Sequence, residues 1–322
     1  MRDGGAARKC GVSSNVSGSC YAAAMDLTTW RDGGRTFSYG AGHEVFYRDD
    51  GSGPPLLCIH GFPSASWDWH KLWPALTARF RVVAPDMLGF GLSAKPARHA
   101  YSLRDQADLH EALLATLGVT HAHVLAHDYG DSVAQELLAR RLERPDGLHL
   151  DSVCLLNGGL FPECHRARPA QKLLRSPLGP LLARLTSERR FAAGFAEIFG
   201  PRTQPSPAEL HTVWELNRHN DGLRVMPSLI RYLDERRTQR ARWVGALQHS
   251  RVPLRFVNGP EDPVSGRHMA ERYRELVPHP DVVLLDGIGH YPQLEAPERV
   301  LAAFLEFADR VGDATPKPSP PA

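Results

Sequence analysis

The sequence is poor in the features that mark secreted, metal-binding or membrane-spanning proteins. Its five cysteines form no CxxC pair, and Cys164-His165 has no further ligands at zinc spacing. An odd number of irregularly spaced cysteines fits a reducing compartment, which predicts a cytoplasmic protein, and the missing ligand spacing predicts no metal site. No apolar run approaches the about 18 residues of a membrane span, so we expect none.

An excess of either charge is also missing. The chain has 38 Lys and Arg residues against 36 Asp and Glu, a formal net charge of +2. So small an excess gives no reason to expect a nucleic-acid partner. Gly89-Phe90-Gly91 lacks the spacing of a dinucleotide-binding loop, and we expect no cofactor.

Neither end of the chain shows the patterning of a folded element. Residues 1–34 begin with a Gly-, Ser- and Ala-rich stretch that lacks the continuous apolar core of a signal peptide, which predicts a disordered extension. Met25 is an alternative first residue. Residues 312–322 are Pro-rich, and we expect a disordered tail there.

Between these ends, short apolar runs alternate with helical patterns. A hairpin is predicted over residues 36–48, and a Trp-rich segment with Trp67, Trp69 and Trp73 is predicted as a helix. The buried strands and helices that follow are predicted at residues 56–60, 81–86, 105–117, 124–126, 129–142 and 153–157. Strands alternating with helices predict an α/β protein with a mostly parallel, doubly wound sheet.

The alternation stops after the sixth predicted strand. Residues 158–249 carry helical segments and many prolines but no convincing strand, and strands resume at 254–258 and 282–285 before a final helix at 297–308. We therefore expect a core made of residues 35–157 and 250–311. The helical insert is predicted to be a cap over the strand ends, where open α/β sheets place ligands.

The most informative segment is residues 124–134, which read VLAHDYGDSVA. A short strand, an acid in a small-residue frame and a helix form the layout of a nucleophile elbow, with Asp128 where many hydrolases carry serine. A carboxylate is ionised at neutral pH and can displace a leaving group from saturated carbon, forming an alkyl ester. This chemistry favours epoxides or alkyl halides over ordinary esters. The competing interpretation is that Asp128 is simply a helix N-cap.

Two further groups follow strands in the order that this arrangement requires. Asp262 lies just after the predicted strand 254–258, and His290 lies just after the last strand, giving the order nucleophile, acid, histidine. Each of them taken alone is also compatible with an ordinary turn residue. Glu261 and, more weakly, Asp286 are alternative acids, whereas Asn157 carries no charge.

The loop His60-Gly61-Phe62-Pro63 supplies a candidate oxyanion hole. The backbone N–H groups of Phe62 and Tyr129 are predicted to converge on a developing negative charge. A tight strand-to-helix turn is an equally simple explanation of this sequence, and the two interpretations are compatible. His127, beside the nucleophile, is expected to be structural.

Taken together, these motifs resemble the α/β-hydrolase epoxide hydrolases and haloalkane dehalogenases over about residues 35–308. The segments that carry the resemblance are 60–63, 86–93, 127–130, 259–263 and 289–290. It implies an α/β-hydrolase fold and a small apolar organic substrate. It also implies an Asp128–Asp262–His290 triad in which Asp128 attacks and His290 activates water.

Two departures bear on the substrate. The family's epoxide hydrolases protonate the opening ring with two cap tyrosines, but Tyr232 is the only tyrosine between Gly158 and His249. His211, His219 or Trp214 is a candidate for the second donor, and Trp214 and Trp67 are expected to contact substrate.

The family's dehalogenases hold halide with a tryptophan after the nucleophile, where this chain has Tyr129. Epoxide hydrolysis is therefore our first expectation. The alternatives are a dehalogenase or ester hydrolase and a non-catalytic binding or regulatory member of the fold.

Overall fold

The computed structural model describes residues 25–314, and its centre is one eight-stranded sheet. The strand order is β1-β2-β4-β3-β5-β6-β7-β8; β2 is antiparallel to β1 and β4, and all other pairs are parallel. The strands are β1 Arg35–Tyr39, β2 His43–Asp50, β3 Pro55–Ile59, β4 Arg81–Pro85, β5 His121–His127, β6 His149–Leu156, β7 Leu254–Asn258 and β8 Val282–Leu284.

Fourteen α-helices surround this sheet within the described residues. They are α1 Leu27–Asp32, α2 Trp73–Thr77, α3 Leu103–Thr116, α4 Tyr129–Glu143, α5 Pro169–Leu174, α6 Gly179–Arg184, α7 Glu188–Ala196, α8 Pro207–Arg218, α9 Met226–Leu229, α10 Tyr232–Thr238, α11 Arg240–His249, α12 Arg267–Leu276, α13 Pro292–Glu295 and α14 Pro297–Ala314. Short 3₁₀ segments cover Ser66–Trp69 and His219–Arg224.

The central strands are apolar throughout because helices cover both of their faces. Leu56–Ile59 on β3 and Val124–Ala126 on β5 are fully buried. Parallel strands buried on both sides read as continuous apolar runs rather than alternating ones. The predicted fold class, a mostly parallel doubly wound sheet, is confirmed.

Two predictions at the ends of the chain are wrong within the described residues. Residues 27–32, expected to be disordered, form α1, which is capped by the Asp26 carboxylate accepting from Thr29 N–H at 2.8 Å. Trp30 anchors this helix in the core, where its indole N–H donates to Ser66 Oγ at 3.3 Å. At the other end α14 continues to Ala314, past the expected start of the tail. Residues 1–24 and 315–322 lie outside the described residues.

The Trp-rich segment also differs from the single helix expected there. It consists of the 3₁₀ turn Ser66–Trp69 and the separate short helix α2. Trp69 and Trp73 are buried in the core, and the ring of Trp73 meets that of Trp30 edge-on at 4.8 Å between centroids. Pro74 at the start of α2 lacks an N–H, so it fits the first turn of a new helix better than the interior of a long one.

The chain between β6 and β7 is helical, as the sequence predicts. Helices α5–α11 occupy it, and α11 packs on α4, where Trp243 Nε1 donates to Glu136 Oε2 at 2.8 Å and Gln135 Nε2 to Trp243 O at 3.3 Å. These bonds fix the insert to the helix that begins at the carboxyl end of β5. Among residues 25–314, no helix combines the length and apolar character needed to cross a bilayer.

Candidate active site

Asp128 occupies the sharp turn between β5 and α4. Its φ of 46° lies in the left-handed region, which is rare for a residue other than glycine. Its side chain makes no capping hydrogen bond to α4, which argues against the N-cap interpretation. Gly130 allows the turn to close, since a Cβ there would lie 2.4 Å from Ile59 O.

His290 lies between two carboxylates. Its Nδ1 is 2.7 Å from Asp262 Oδ2, and its Nε2 is 3.9 Å from Asp128 Oδ2. The structure therefore brings the three predicted triad residues together from the ends of three strands. The alternative acids do not contact His290: Glu261 is exposed, and the largely exposed Asp286 pairs with Arg267.

Asp262 is held in place by several donors besides His290. The N–H groups of Val264 and Ser265 donate to its two oxygens at 2.7 and 3.1 Å. Asn157 Nδ2 donates to Oδ2 at 3.0 Å, while its own Oδ1 accepts from Gly259 N–H at 2.7 Å. Asn157, uncharged as the sequence indicates, thus orients the acid.

The charges in this cluster shift the titration of all three groups. Burial disfavours the charged form of His290, but Asp262 and then Asp128 outweigh it and raise the pKa of His290 to about 9. Against the opposing effect of burial, His290, Asn157 and Val264 N–H lower the pKa of Asp262 to about 2. The pKa of Asp128 is also lowered despite burial, first by Arg236 and then by His290. At neutral pH both carboxylates are therefore ionised and His290 is protonated.

The backbone around Asp128 supplies N–H donors. Phe62 N–H donates to Asp128 Oδ2 at 3.2 Å. Gly61 makes this approach feasible, because a Cβ there would lie 3.1 Å from the Cβ of Asp128 and 2.5 Å from His127 Nδ1. Tyr129 is the first residue of α4, so its N–H belongs to the unpaired donors of a helix start beside the same carboxylate. His127 Nε2 lies 2.7 Å from the backbone O of His290 and so links the two loops.

Arg236 on α10 is the site residue that the sequence reasoning missed. It is almost fully buried, its Nε donates to Ser132 Oγ at 2.7 Å, and its Nη2 donates to Asp128 O at 2.7 Å. The same Nη2 lies 3.3 Å from Asp128 Oδ1, while Nη1 has no hydrogen-bond partner among the described residues. The available signal was its spacing of four residues from Tyr232, which places both on one helix face.

Tyr232 lies next to Arg236 and close to the predicted oxyanion-hole residues. Its ring centroid is 4.9 Å from that of Tyr129 and 5.7 Å from that of Phe62, and the guanidinium of Arg236 lies 4.5 Å from it. Its hydroxyl is buried and makes no hydrogen bond of good geometry among the described residues, although the Arg236 side chain interacts with it. Burial raises the pKa of Tyr232, followed by the nearby charge of Asp128, so the hydroxyl stays protonated and can donate.

The other predicted insert donors and substrate contacts lie elsewhere. Trp67 stacks on His70 at 3.9 Å and donates to Met25 O at 3.2 Å, because the core beneath the sheet takes up the whole indole ring. Trp214, His211 and His219 line a separate, polar surface pocket, where His211 pairs with Glu188. The roles expected for these four side chains are therefore wrong.

A cavity of about 400 Å³ opens beside the triad. His290, Phe62 and Val264 form its inner wall, and helices of the insert supply most of the rest with apolar side chains. Asp128 is not among the lining residues; it is buried directly behind Phe62 and His290, which line the cavity and lie beside its carboxylate. The volume and apolar lining suit a small or slender organic molecule.

The fold and this constellation define the class of protein. A family model described as the alpha/beta hydrolase fold matches residues 54–297, and the chain belongs to that family. The human mesoderm-specific transcript homolog protein is 45% identical over 293 residues, which cover 87% of each chain. A Mycobacterium tuberculosis protein named as the hydrolase LipZ is 46% identical over 279 residues, covering 86% of this chain and 96% of that one.

Solved structures of hydrolases share the architecture. A loop variant of the haloalkane dehalogenase DbeA from Bradyrhizobium elkanii superimposes with a TM-score of 0.74 at 21% identity, covering 87% of this chain and 97% of that one. At this identity the likeness shows the fold alone. The predicted fold and the predicted resemblance to this group of hydrolases are confirmed.

Proposed function

We propose that this hydrolase uses Asp128 as a nucleophile and acts on epoxides through a covalent alkyl ester. The observation that carries the proposal is that the two oxygens of Asp128 have different neighbours. Phe62 N–H holds Oδ2 at 3.2 Å beside His290, so the attacking atom is Oδ1, which lies 3.3 Å from Arg236 Nη2. The lowered pKa of Asp128 supports the proposal, because the attacking group has to be a carboxylate rather than an acid.

The first step forms the ester. Asp128 Oδ1 attacks an epoxide carbon, the carbon–oxygen bond of the ring breaks, and the released oxygen takes up a proton. Tyr232 and the unpaired Nη1 of Arg236 donate hydrogen bonds to that oxygen, so that Arg236 takes the place of the second tyrosine. When the ester forms, Asp128 loses its charge, the pKa of His290 falls, and the proton it releases balances the one the oxygen gains.

The second step hydrolyses the ester. His290 now removes a proton from water, and the hydroxide attacks Cγ of Asp128. The tetrahedral oxyanion forms at Oδ2, where the N–H groups of Phe62 and Tyr129 stabilise it by about 3 kcal/mol per donor. Collapse releases the diol and restores the Asp128 carboxylate and protonated His290. Asp262 keeps the imidazole oriented throughout. The helical insert serves as the cap that shields both steps from bulk water.

Trapping the ester tests this proposal. His290→Gln should permit attack and stall hydrolysis, so intact-protein mass spectrometry after incubation with an epoxide should show one added substrate mass on the peptide that contains Asp128. His211→Gln, an exposed histidine on the insert, is the matched control and should turn over normally without an adduct. An adduct on another peptide, or full turnover by Asp128→Ala, contradicts the assignment.

Product analysis of the unaltered chain separates the epoxide reaction from the dehalogenase alternative. The cationic Nη1 of Arg236, which has no hydrogen-bond partner among the described residues, is also a donor suited to halide, and this supports the dehalogenase alternative. Chloride or bromide release from haloalkanes with no turnover of epoxides would support the dehalogenase reaction and contradict our proposal. Turnover of short esters alone would favour an esterase.

A further inference from the structure

The exposed apolar side chains of this protein are concentrated in one place. Five large apolar residues are exposed in the described part of the chain, and four of them fall within residues 173–185: Leu173 (49%), Leu178 (60%), Leu181 (56%) and Leu185 (62%). Single exposed leucines are ordinary on a protein surface, but a cluster of four on two adjacent short helices indicates a contact surface. We call these four side chains the leucine patch.

The leucine patch adjoins the cavity. Leu181 lies on α6, and Leu178 and Leu185 cap its two ends in helical backbone conformation, so their spacing of i, i+3 and i+7 places the three along one side. Leu182 and Ala183 on the same helix line the cavity, and so does Leu173. One helix thus presents apolar side chains both to the cavity and to the outside, and a molecule lying on the patch would be next to the cavity entrance.

The surface around the patch is strongly basic. Residues 165–190 contain seven Lys and Arg residues and one acid, Glu188, although the whole chain carries only +2. Five of the seven have no ion-pair partner among residues 25–314: Arg166, Lys172, Arg184, Arg189 and Arg190. Arg168 and Arg175 are the paired ones, with Glu197 and Asp234. Apolar side chains ringed by unpaired cations match the interface of a bilayer that carries anionic headgroups.

We propose that the leucine patch and its cations dock this protein on anionic phospholipid membranes, with the cavity entrance facing the lipid. Leu173, Leu178, Leu181 and Leu185 enter the interfacial layer while the basic side chains contact the headgroups. In this position an apolar substrate dissolved in the bilayer reaches the cavity without crossing water. The docking itself is independent of the reaction proposed for Asp128, so the two can fail separately.

Vesicle binding tests the proposal directly. The purified chain is sedimented with sucrose-loaded vesicles of phosphatidylcholine containing 30% phosphatidylglycerol, or of phosphatidylcholine alone, at about 0.1 M and about 0.5 M NaCl. We expect binding to the anionic vesicles that falls at least about tenfold without phosphatidylglycerol and also falls at high salt. The triple variant Leu178→Ser, Leu181→Ser, Leu185→Ser should bind at least about tenfold more weakly.

Matched controls separate the patch from general effects. Leu142→Ser removes the one exposed leucine outside the patch, and it should bind like the unaltered chain. Lys172→Glu with Arg184→Glu should abolish the preference for anionic vesicles. Arg274→Glu on α12 should not, although Arg274 is also exposed and has no ion-pair partner within the described part of the chain. The midpoint of urea unfolding should be the same in all these variants, which shows that they are folded.

Three results would overturn the proposal. The first is no vesicle binding by the unaltered chain, and the second is binding that the leucine and charge variants leave intact. The third is self-association measured by analytical ultracentrifugation that the triple leucine variant abolishes, with no vesicle binding, which would assign the patch to a second copy of the chain.

Discussion

Replacing Asp128 by Asn should lower the pKa of His290 from about 9 by about 1 to 3 units. Asn has nearly the shape of Asp and no charge, so it mimics the loss of charge that ester formation brings. Asp128 Oδ2 lies 3.9 Å from His290 Nε2. Two unit charges at that distance attract by about 1 kcal/mol at the dielectric constant of water and about 4 kcal/mol at an effective value of about 20. Dividing these two energies by about 1.36 kcal/mol per pKa unit gives the expected fall of about 1 to 3 units.

The direction of this shift is what the two-step reaction needs. A histidine that is protonated at neutral pH cannot remove a proton from water, whereas one whose pKa has fallen to about 6–8 can. The shift thus makes His290 a base only after the ester has formed.

Nuclear magnetic resonance of the chain with ¹⁵N-labelled histidine measures this shift. The ring nitrogens of His290 are assigned by their disappearance in His290→Gln and then titrated between about pH 5 and 10. Asp286→Asn is the control, because this exposed acid follows the last strand but does not contact His290. A His290 pKa that stays within about 0.3 units in Asp128→Asn, or that rises, would refute the reasoning.

Three further outcomes follow from the geometry. Asp262→Asn should reduce the turnover rate by about 10⁴-fold, because the imidazole of His290 loses its orientation. Glu261→Gln, at an exposed position, should keep a rate near that of the unaltered chain. The reverse pattern would identify Glu261 as the acid. Tyr232→Phe should slow single-turnover ester formation with epoxides but not with haloalkanes, and equal losses on both would make Tyr232 a packing residue. Because the folded pKa of His290 lies above its ordinary 6.5, its stabilisation is complete below about pH 6.5 and is lost as pH rises through about 9. Urea unfolding between pH 6 and 10 should therefore show a declining free energy that is flatter in His290→Gln.

The triad was predictable because each member follows a strand that the apolar pattern marks. Asp128, Asp262 and His290 are each tied to the carboxyl end of a parallel strand, and those ends meet at one edge of the sheet. The sequence favoured Asp262 and left Glu261 as an alternative, and in the structure it is Asp262 that contacts His290 while Glu261 is exposed. Adjacent residues in a turn point in different directions, and only the backbone decides which one reaches His290.

The sequence predicted that the insert is helical, but it did not predict which side chains of the insert reach Asp128, and the reason is physical. Its seven helices are short and often begin at proline, and which of them reaches Asp128 depends on the angles of many loops rather than on any local pattern. Arg236 therefore gave no signal beyond its distance from Tyr232. Trp67 was expected to contact substrate, but its ring is buried in the core. Helix α1 was missed because one tryptophan, Trp30, carries most of its attachment.

Gly159 has no side chain that could take part in the reaction, yet the structure limits which residues can replace it. A Cβ at this position would lie 2.3 Å from Nη1 of Arg236, and the guanidinium cannot swing aside without giving up its bonds to Ser132 and Asp128. Any substitution of Gly159 would therefore displace Arg236 and change the electrostatic environment of the Asp128 carboxylate, which residue 159 itself never touches. In a mutational scan, such a position would score with the active site although it lies in a loop after β6.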